Sequence, residues 1–197
     1  MKIHVDNIET LYIRNMMCNC CIKSVKDILI SNGVDVMSIK LGSAEVVLGG
    51  NSPTLDKLDA ILQKEGFGLI VSREKRIIEQ TKLAVVELIH QMNNVNSMVQ
   101  KSEYLVEKLN MSYQQLSKLF SKHENTTLEK FFILNKIERI KELIDNDEFT
   151  LSEIAYMMDY SSVQYLSGQF KKETGVTVSD YKKGNKVDKK SIEDLLS

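Results

Sequence analysis

The chain has 197 residues, of which 43% are hydrophobic and 27% charged, and this composition allows one or two globular domains. Its formal net charge of −1 excludes an evenly basic nucleic-acid coat but permits a locally basic face. No apolar run approaches the ~20 residues that a membrane-spanning helix needs, and the first residues lack the apolar core of a signal peptide. We therefore expect a cytoplasmic protein with reduced cysteines.

The N-terminal part alternates strand and helix patterns. Leu11 and Ile13 alternate with polar residues, as in a half-buried strand, whereas Val25 and Leu29 recur at helical spacing. The predicted elements are a strand over Glu9–Arg14, a helix from Cys21 to the Asn32-Gly33 stop, strands over Val36–Leu41 and Ala44–Leu48 joined at Gly42-Ser43, a helix from its Thr54 cap to Gly66, and a strand over Phe67–Val71. The order βαββαβ predicts a ferredoxin-like sandwich of two helices on a four-stranded sheet.

All three cysteines fall in the segment Met16-Met17-Cys18-Asn19-Cys20-Cys21, between the first strand and the first helix. Cys18 and Cys21 form a Cys-x-x-Cys pair, and Cys20 adds a third sulfur. The positive end of a helix dipole stabilises thiolates at such a position. Close soft sulfurs suit Cu(I), or Zn(II) if other ligands complete the site. A redox pair, or thiols without a role, are the alternatives.

In this context the cysteine segment resembles the heavy-metal-associated domain of copper chaperones and metal-transporting ATPases. That family has the pattern Gly-Met-x-Cys-x-x-Cys after its first strand, and the resemblance covers residues 8–72. It implies Cu(I) as the bound metal, with Zn(II) as the alternative, held by Cys18 and Cys21. It also implies that Met16 anchors the loop without binding metal. Asn15 replaces the family's glycine, and Cys20 is either a third ligand or exposed to solvent.

A charged segment without Gly or Pro, Ser72–Arg76, runs directly into apolar residues at helical spacing, including Ile78, Val85 and Ile89. A helix that starts at a domain boundary is a stiffer connection than a flexible tether. The predicted domains are 1–73, 74–185 with this linker helix at its start, and a polar tail over 186–197. The tail carries Ile192, Leu195 and Leu196 at helical spacing, which fits a frayed or docking helix.

From Ser102 onward the pattern is helical throughout. The predicted helices are Tyr104–Leu109, one that Ser112 caps, a long one over Leu128–Ile144, Leu151–Met158 and Ser162–Glu173. Two short-turn-short pairs on either side of one long helix indicate two helix-turn-helix units. The second domain is therefore predicted to be all-α, and the whole chain α+β.

Residues 80–183 are similar to the DNA-binding domain of the AraC family of transcription regulators. The landmarks are Ile154-Ala155, Tyr160-Ser161, Tyr165-Leu166-Ser167, Phe170–Gly175 and Thr177–Tyr181, with Leu116–Phe120 as the equivalent in the first half. The resemblance implies a bacterial protein that places two recognition helices in successive major grooves of double-stranded DNA, one helical turn (~34 Å) apart.

The DNA contacts that this resemblance and the outward helix faces imply fall into two sets. Base contacts are expected from Gln114, Gln115, Lys118, Ser162, Gln164 and Gln169, and the lysines that the helices supply are Lys118, Lys122, Lys136, Lys171 and Lys172. For each residue a solvated helix face is the competing interpretation. Between Glu79 and Lys183 there are 13 Lys and Arg against 15 Asp and Glu, so binding requires the lysines to share a face. Gly168 stands where the family usually presents Arg.

The sequence shows no nucleophile–base pair, carboxylate dyad or phosphate loop, so we expect no enzyme. The favoured hypothesis is a regulator in which metal at Cys18 and Cys21 alters how the helix-turn-helix units engage DNA. One alternative is a module that exchanges metal with a metal-handling protein and uses its helical half as a docking scaffold. Another is a thiol switch through a disulfide between Cys18 and Cys21 or involving Cys20.

Overall fold

The computed structural model describes residues 7–49, 52–91, 98–184, 186–192 and 194–196. The chain divides into two compact units, 1–83 and 84–197, each of which is described by itself. The division falls inside helix α3, Arg73–Gln91, and not at the predicted boundary of 73/74. The first turns of α3 belong to the first unit because Ile78 and Thr81 are buried there.

The first unit has the predicted order βαββαβ, followed by the first half of α3. Its elements are β1 (Asn7–Arg14), α1 (Asn19–Ser31), β2 (Asp35–Lys40), β3 (Ser43–Leu48), α2 (Leu55–Lys64) and β4 (Gly68–Leu69). The four strands form one antiparallel sheet in the order β2-β3-β1-β4. Both central strands, β1 and β3, therefore have a neighbour on each side.

The alternation of side chains along the sheet decides what covers each face. Leu11 and Ile13 of β1 point into a core with Val25 and Leu29 of α1. Tyr12 faces the other way, where the Arg76 guanidinium of α3 lies 4.2 Å from the centre of its ring. The start of α3 thus covers the face of β1 that α1 and α2 leave open.

Two details of the predicted first unit were wrong. The strand predicted over Phe67–Val71 is a two-residue pairing, Gly68–Leu69 with Arg14 and Ile13, because the chain then leaves the sheet with Val71 90% exposed and enters α3. Thr54 occupies the N-cap position of α2, but its side chain makes no capping hydrogen bond.

The second unit contains, after the end of α3, six helices among its described residues. They are α4 (Met98–Leu109), α5 (Tyr113–His123), α6 (Leu128–Asn146), α7 (Leu151–Met157), α8 (Val163–Thr174) and α9 (Val178–Lys182). Helix α4 starts before the predicted Tyr104, and α9 was not predicted. Phe131 of α6 packs on Phe120 of α5, with ring centroids 5.2 Å apart, and Phe170 of α8 packs edge-on against Tyr181 of α9 at 5.5 Å.

The predicted polar tail is docked, and α6 supplies the contacts. Leu195 and Leu196 are 5% and 9% exposed, so the tail contributes apolar side chains to the second unit. The buried Lys141 ammonium donates to Glu138 at 2.8 Å and to the Asp188 carbonyl at 3.1 Å. These contacts satisfy a lysine that would otherwise be buried without a partner. Among the described residues, no helix is both long enough and apolar enough to cross a membrane.

Gly168 provides a direct test of helix propensity. It lies inside α8, and a Cβ added there would meet no atom within 4 Å, so Gly168→Ala should raise the free energy of unfolding by about 0.8–1.0 kcal/mol. Gly175→Ala is the matched control: Gly175 ends α8 with a φ of 80°, and alanine should be destabilising there. Urea denaturation of both variants measures the two effects, and equal shifts would contradict this reading of α8.

Candidate functional site

The three thiols form one exposed group, here named the thiol cluster: Cys18, Cys20 and Cys21. Their sulfur atoms all lie within 4.8 Å of one another, and the Cys18 and Cys21 Sγ atoms are 2.9 Å apart. Cys18 and Cys20 are exposed and Cys21 is half-buried. A metal ion or a thiol reagent can therefore reach them from solvent.

The start of α1 holds these sulfurs together. Cys18 is the N-cap residue, with extended backbone, and its Sγ accepts a hydrogen bond from the Cys21 N–H at 3.4 Å. Residues three apart lie on the same side of a helix start, so the capping geometry that organises the backbone also brings the two sulfurs together. The thiol cluster lies at the N-terminus of α1, which is the positive end of the helix dipole.

Met16 is the buried end of the same loop. It is fully buried in the core of the first unit, beside residues such as Leu29 and Leu62. The prediction that Met16 anchors the loop in the core is confirmed. Its sulfur is therefore enclosed by apolar side chains while the thiols face solvent.

Asn15 fixes the other end of the loop. Its backbone is left-handed, with a φ of 68°, a conformation that Gly and, less easily, Asn adopt. Its side-chain amide donates to the Gly66 carbonyl at 2.7 Å, and its backbone N–H donates to Glu79 Oε1 at 2.7 Å. Asn15 therefore adopts a backbone turn that favours glycine and adds a hydrogen bond to the end of α2. Its second hydrogen bond is to α3.

The donor set of the cluster is soft. Within the described residues, no His, Asp or Glu joins the three sulfurs in a common group. Mg²⁺ and Ca²⁺ prefer oxygen ligands, and a closed structural Zn²⁺ site takes four ligands. Three sulfurs at most therefore fit a thiophilic ion of low coordination number better than either of these.

The second candidate site consists of α5 and α8, the second helices of the two helix-turn-helix pairs. Ser112 and Gln115 form a capping box at α5: the Gln115 N–H donates to Ser112 Oγ at 3.3 Å, and the Ser112 N–H donates to Gln115 Oε1 at 3.1 Å. Ser162 caps α8 by accepting from the Tyr165 N–H at 3.1 Å. Two predicted base-contact residues, Gln115 and Ser162, thus also hold the starts of these helices.

Of the ten residues predicted to contact DNA or to supply positive charge to it, eight are exposed: Gln114, Gln115, Lys118, Lys122, Ser162, Gln164, Lys171 and Lys172. Gln169 is half-buried and lines a cavity between helices. Gln169 is therefore less available for contact with a base than its predicted position on the outward face of the helix implied.

Comparisons with known proteins bear on this helical region. Residues 105–184 match the model of a helix-turn-helix domain family. The chain is 26% identical over 138 residues to the xylose operon regulatory protein of Escherichia coli strain K12, a match covering 65% of this chain and 35% of that relative. The chain thus spans about a third of the length of this relative.

Two solved structures are also similar. The C-terminal domain of AraT, a response regulator from Geobacillus stearothermophilus, has a TM-score of 0.48 and 22% identity, covering 61% of this chain and 94% of that one. A DNA-binding transcriptional dual regulator from Escherichia coli K-12 has a TM-score of 0.44 and 20% identity, covering 52% and 89%.

Residues 105–184 therefore resemble a helix-turn-helix domain. Within residues 105–184 several basic side chains are already paired, among them Lys130 with Glu173 at 2.5 Å, Arg139 with Glu142 at 2.8 Å, and Lys141 with Glu138 at 2.8 Å. Lys118, Lys171 and Lys172 are exposed and form no ion pair with any described residue. The unneutralised positive charge of a net acidic region therefore includes three lysines on α5 and α8.

Lys136 contradicts its predicted role as an outward lysine. It is 9% exposed, and its ammonium lies 4.1 Å from the centre of the Tyr160 ring. Burial, together with the neighbouring charge of Lys101, lowers the pKa of Lys136 to about 8. Lys136 lies four residues from the buried Phe132 and Ile140, so the helical period of α6 already places it on the buried side of the helix.

Asn15 allows the loop geometry to be tested. Asn15→Ala should destabilise residues 7–83 by about 2 kcal/mol, because alanine resists the left-handed backbone and loses the bond to Gly66. Asn15→Gly should cost about 1 kcal/mol, since only the side-chain bond is lost. Hydrogen–deuterium exchange over residues 7–83 reports both losses. The same loss in both variants would mean that backbone strain is not what selects Asn at this position.

Proposed function

We propose that this chain is a transcriptional regulator that binds DNA through its helix-turn-helix domain and responds to a soft metal ion, Cu(I), bound by the thiol cluster. The observation that carries the proposal is the presence of three mutually close thiols in one unit and a helix-turn-helix domain in the other. Zn(II) is the second ion to test. The proteins to which this chain is similar include transcriptional regulators, and this supports the DNA-binding half of the proposal.

The metal half rests on the first unit. We infer that it is a ferredoxin-like domain of the heavy-metal-associated type. The antiparallel strand order β2-β3-β1-β4, two helices crossing over between strands, the thiol loop between β1 and α1, and the buried Met16 all favour this assignment. Cys18 and Cys21 would hold the ion, and Cys20 lies close enough to contribute a third sulfur.

A path from the thiol loop to the linker helix favours regulation over simple metal storage. The Asn15 N–H, at the base of the loop, donates to Glu79 of α3. Helix α3 begins in the first unit and ends at Gln91 in the second. If the loop changes shape when metal binds, this hydrogen bond is either strained or broken. Either effect changes the free energy with which α3 is held at its present position on the loop. Such a difference between two states is what a metal-dependent switch requires.

On DNA, the side chains divide by chemistry. Gln114 and Gln164 are exposed on α5 and α8, and Gln pairs bidentately with adenine. Lys118, Lys171 and Lys172 supply charge for phosphates or guanine. Gly168 leaves the middle of α8 without a side chain, so α5 should contribute more of the sequence readout than α8.

The 2.9 Å separation of the Cys18 and Cys21 sulfurs also favours a second function, a thiol switch. Disulfide formation needs an S–S distance of about 2.05 Å, so a small movement brings the two sulfurs together. Mass spectrometry after mild oxidant, compared with metal retained on purification, distinguishes the two: loss of two hydrogens from a protein that never retains metal favours the switch.

Anaerobic Cu(I) titration against a competing chelator tests the metal site. Loss of a residue that only hydrogen-bonds to a metal ligand weakens metal binding by ~10-fold or more. Cys18→Ser should weaken Cu(I) binding further than that ~10-fold, because it removes a ligand itself. Cys20→Ser is the matched control and should weaken binding less. Mobility-shift assays on genomic fragments with and without Cu(I) then test the response. Fragments that are never shifted would count against regulation, and shifts indifferent to Cu(I) against metal control.

The salt dependence of DNA affinity tests the exposed lysines. If Lys118 contacts a phosphate, Lys118→Ala should reduce the slope of log K against log salt by about 0.9 and weaken binding to all sequences. Lys57→Ala, an exposed lysine on α2, should leave the slope unchanged. Fluorescence anisotropy over a salt series measures both. An unchanged slope with altered sequence preference would instead assign Lys118 to a base.

A further inference from the structure

The helix-turn-helix domain and the start of α4 enclose a cavity of about 550 Å³, here named the interhelix cavity. It lies between the start of α5, the middle of α6 and the outer side of α8. Small-molecule sites in proteins typically occupy 300–1,000 Å³. The interhelix cavity therefore has the size of a ligand site, and nothing in the proposed function uses it.

Aromatic rings form much of its wall. Tyr113, Phe132, Tyr160 and Tyr165 line it, and the Tyr160 and Tyr165 rings stack obliquely with centroids 5.8 Å apart. Tyr165 is 61% exposed, so a large ring is left standing at the mouth. Aromatic walls favour a flat, apolar molecule, which gains offset-stacked or edge contacts with them.

One buried charge in the wall is only partly compensated. Lys136 is 9% exposed, and no carboxylate of the described residues pairs with its ammonium. The nearby Asp159 is engaged by Lys101 at 2.9 Å, and Glu129 accepts from the Tyr113 hydroxyl at 3.0 Å. The Lys136 ammonium faces the Tyr160 ring, and its acidic neighbour Asp159 is engaged by Lys101, so the charge of Lys136 is under-compensated and an anion beside it is favoured.

We propose that the interhelix cavity binds a small aromatic carboxylate, with the carboxylate on the Lys136 ammonium and the ring system between Tyr160, Tyr113 and Phe132. A DNA phosphate is the other anion that a helix-turn-helix domain meets. It fits less well, because Lys136 lies beneath the Tyr160 ring and the cavity wall is mostly apolar, whereas a phosphodiester is strongly hydrated.

The position of the cavity gives such a ligand a consequence. Tyr165 and Gln169 belong to α8, the second helix of the second helix-turn-helix unit, and both line the cavity. A bound molecule would therefore contact α8 on the side next to its buried Leu166 and Phe170. This part of the inference rests on the proposed function, whereas binding itself does not.

The binding test uses 2-naphthoate as the probe and neutral 2-naphthamide as its matched partner, in isothermal titration calorimetry of the full chain without DNA. Naphthoate should bind the wild type, and Lys136→Met should weaken it by about tenfold or more, the effect of losing one charge-assisted bond. Naphthamide should bind the wild type and Lys136→Met alike. Lys57→Met, which removes an exposed lysine of α2, should change neither affinity.

Two further measurements keep the outcome decisive. Tyr165→Ala, at an exposed position, should also weaken naphthoate and guards against a Lys136 variant that fails to fold. A random-sequence DNA duplex is then titrated against the naphthoate complex. Equal naphthoate affinity in wild type and Lys136→Met, or no binding at all, overturns the proposal. The proposal is also overturned if Lys136→Met loses salt-dependent affinity for DNA and no affinity for naphthoate. That result would make the cavity a binding site for a DNA phosphate.

Discussion

The left-handed backbone of Asn15 is the constraint on which the first unit depends. It turns the chain from β1 into the thiol loop, so that Met16 enters the core while Cys18 caps α1. The same residue ties the loop to Gly66 through its side chain and to Glu79 through its backbone. One residue in an uncommon conformation therefore sets where the sulfurs lie and which helix is connected to them.

In the second unit, α6 plays the corresponding part. Both helix-turn-helix pairs contact α6: Phe120 of α5 packs on Phe131, and Glu173 of α8 pairs with Lys130. The C-terminal segment also contacts α6, because the Asp188 carbonyl accepts a hydrogen bond from Lys141. Helix α6 is consequently buried along much of its length and carries three buried polar residues: Asn135, Lys136 and Lys141. Two of these are satisfied locally, and the third, Lys136, is left facing the interhelix cavity.

What the sequence predicts well is local. The order of strands and helices, the capping serines at 112 and 162, and the buried role of Met16 follow from periodicity, turn residues and caps, all of which act over a few positions. What it does not predict depends on distant residues. The hydrogen bond from Asn15 to Glu79 spans 64 positions, and the contact of the Lys136 ammonium with the Tyr160 ring joins two different elements of the helical region. The same holds for Gln169, which the helix period places outward and α6 partly encloses.

Helix α3 serves two cores in succession, and this limits how the chain can be taken apart. A fragment that stops at the end of the sheet would strip Tyr12 of its Arg76 cover and leave the thiol loop without Glu79. A fragment that begins there would instead carry Ile78 into water. Chimaeras that exchange either half with a relative should therefore be joined within the helix, in phase with its turns.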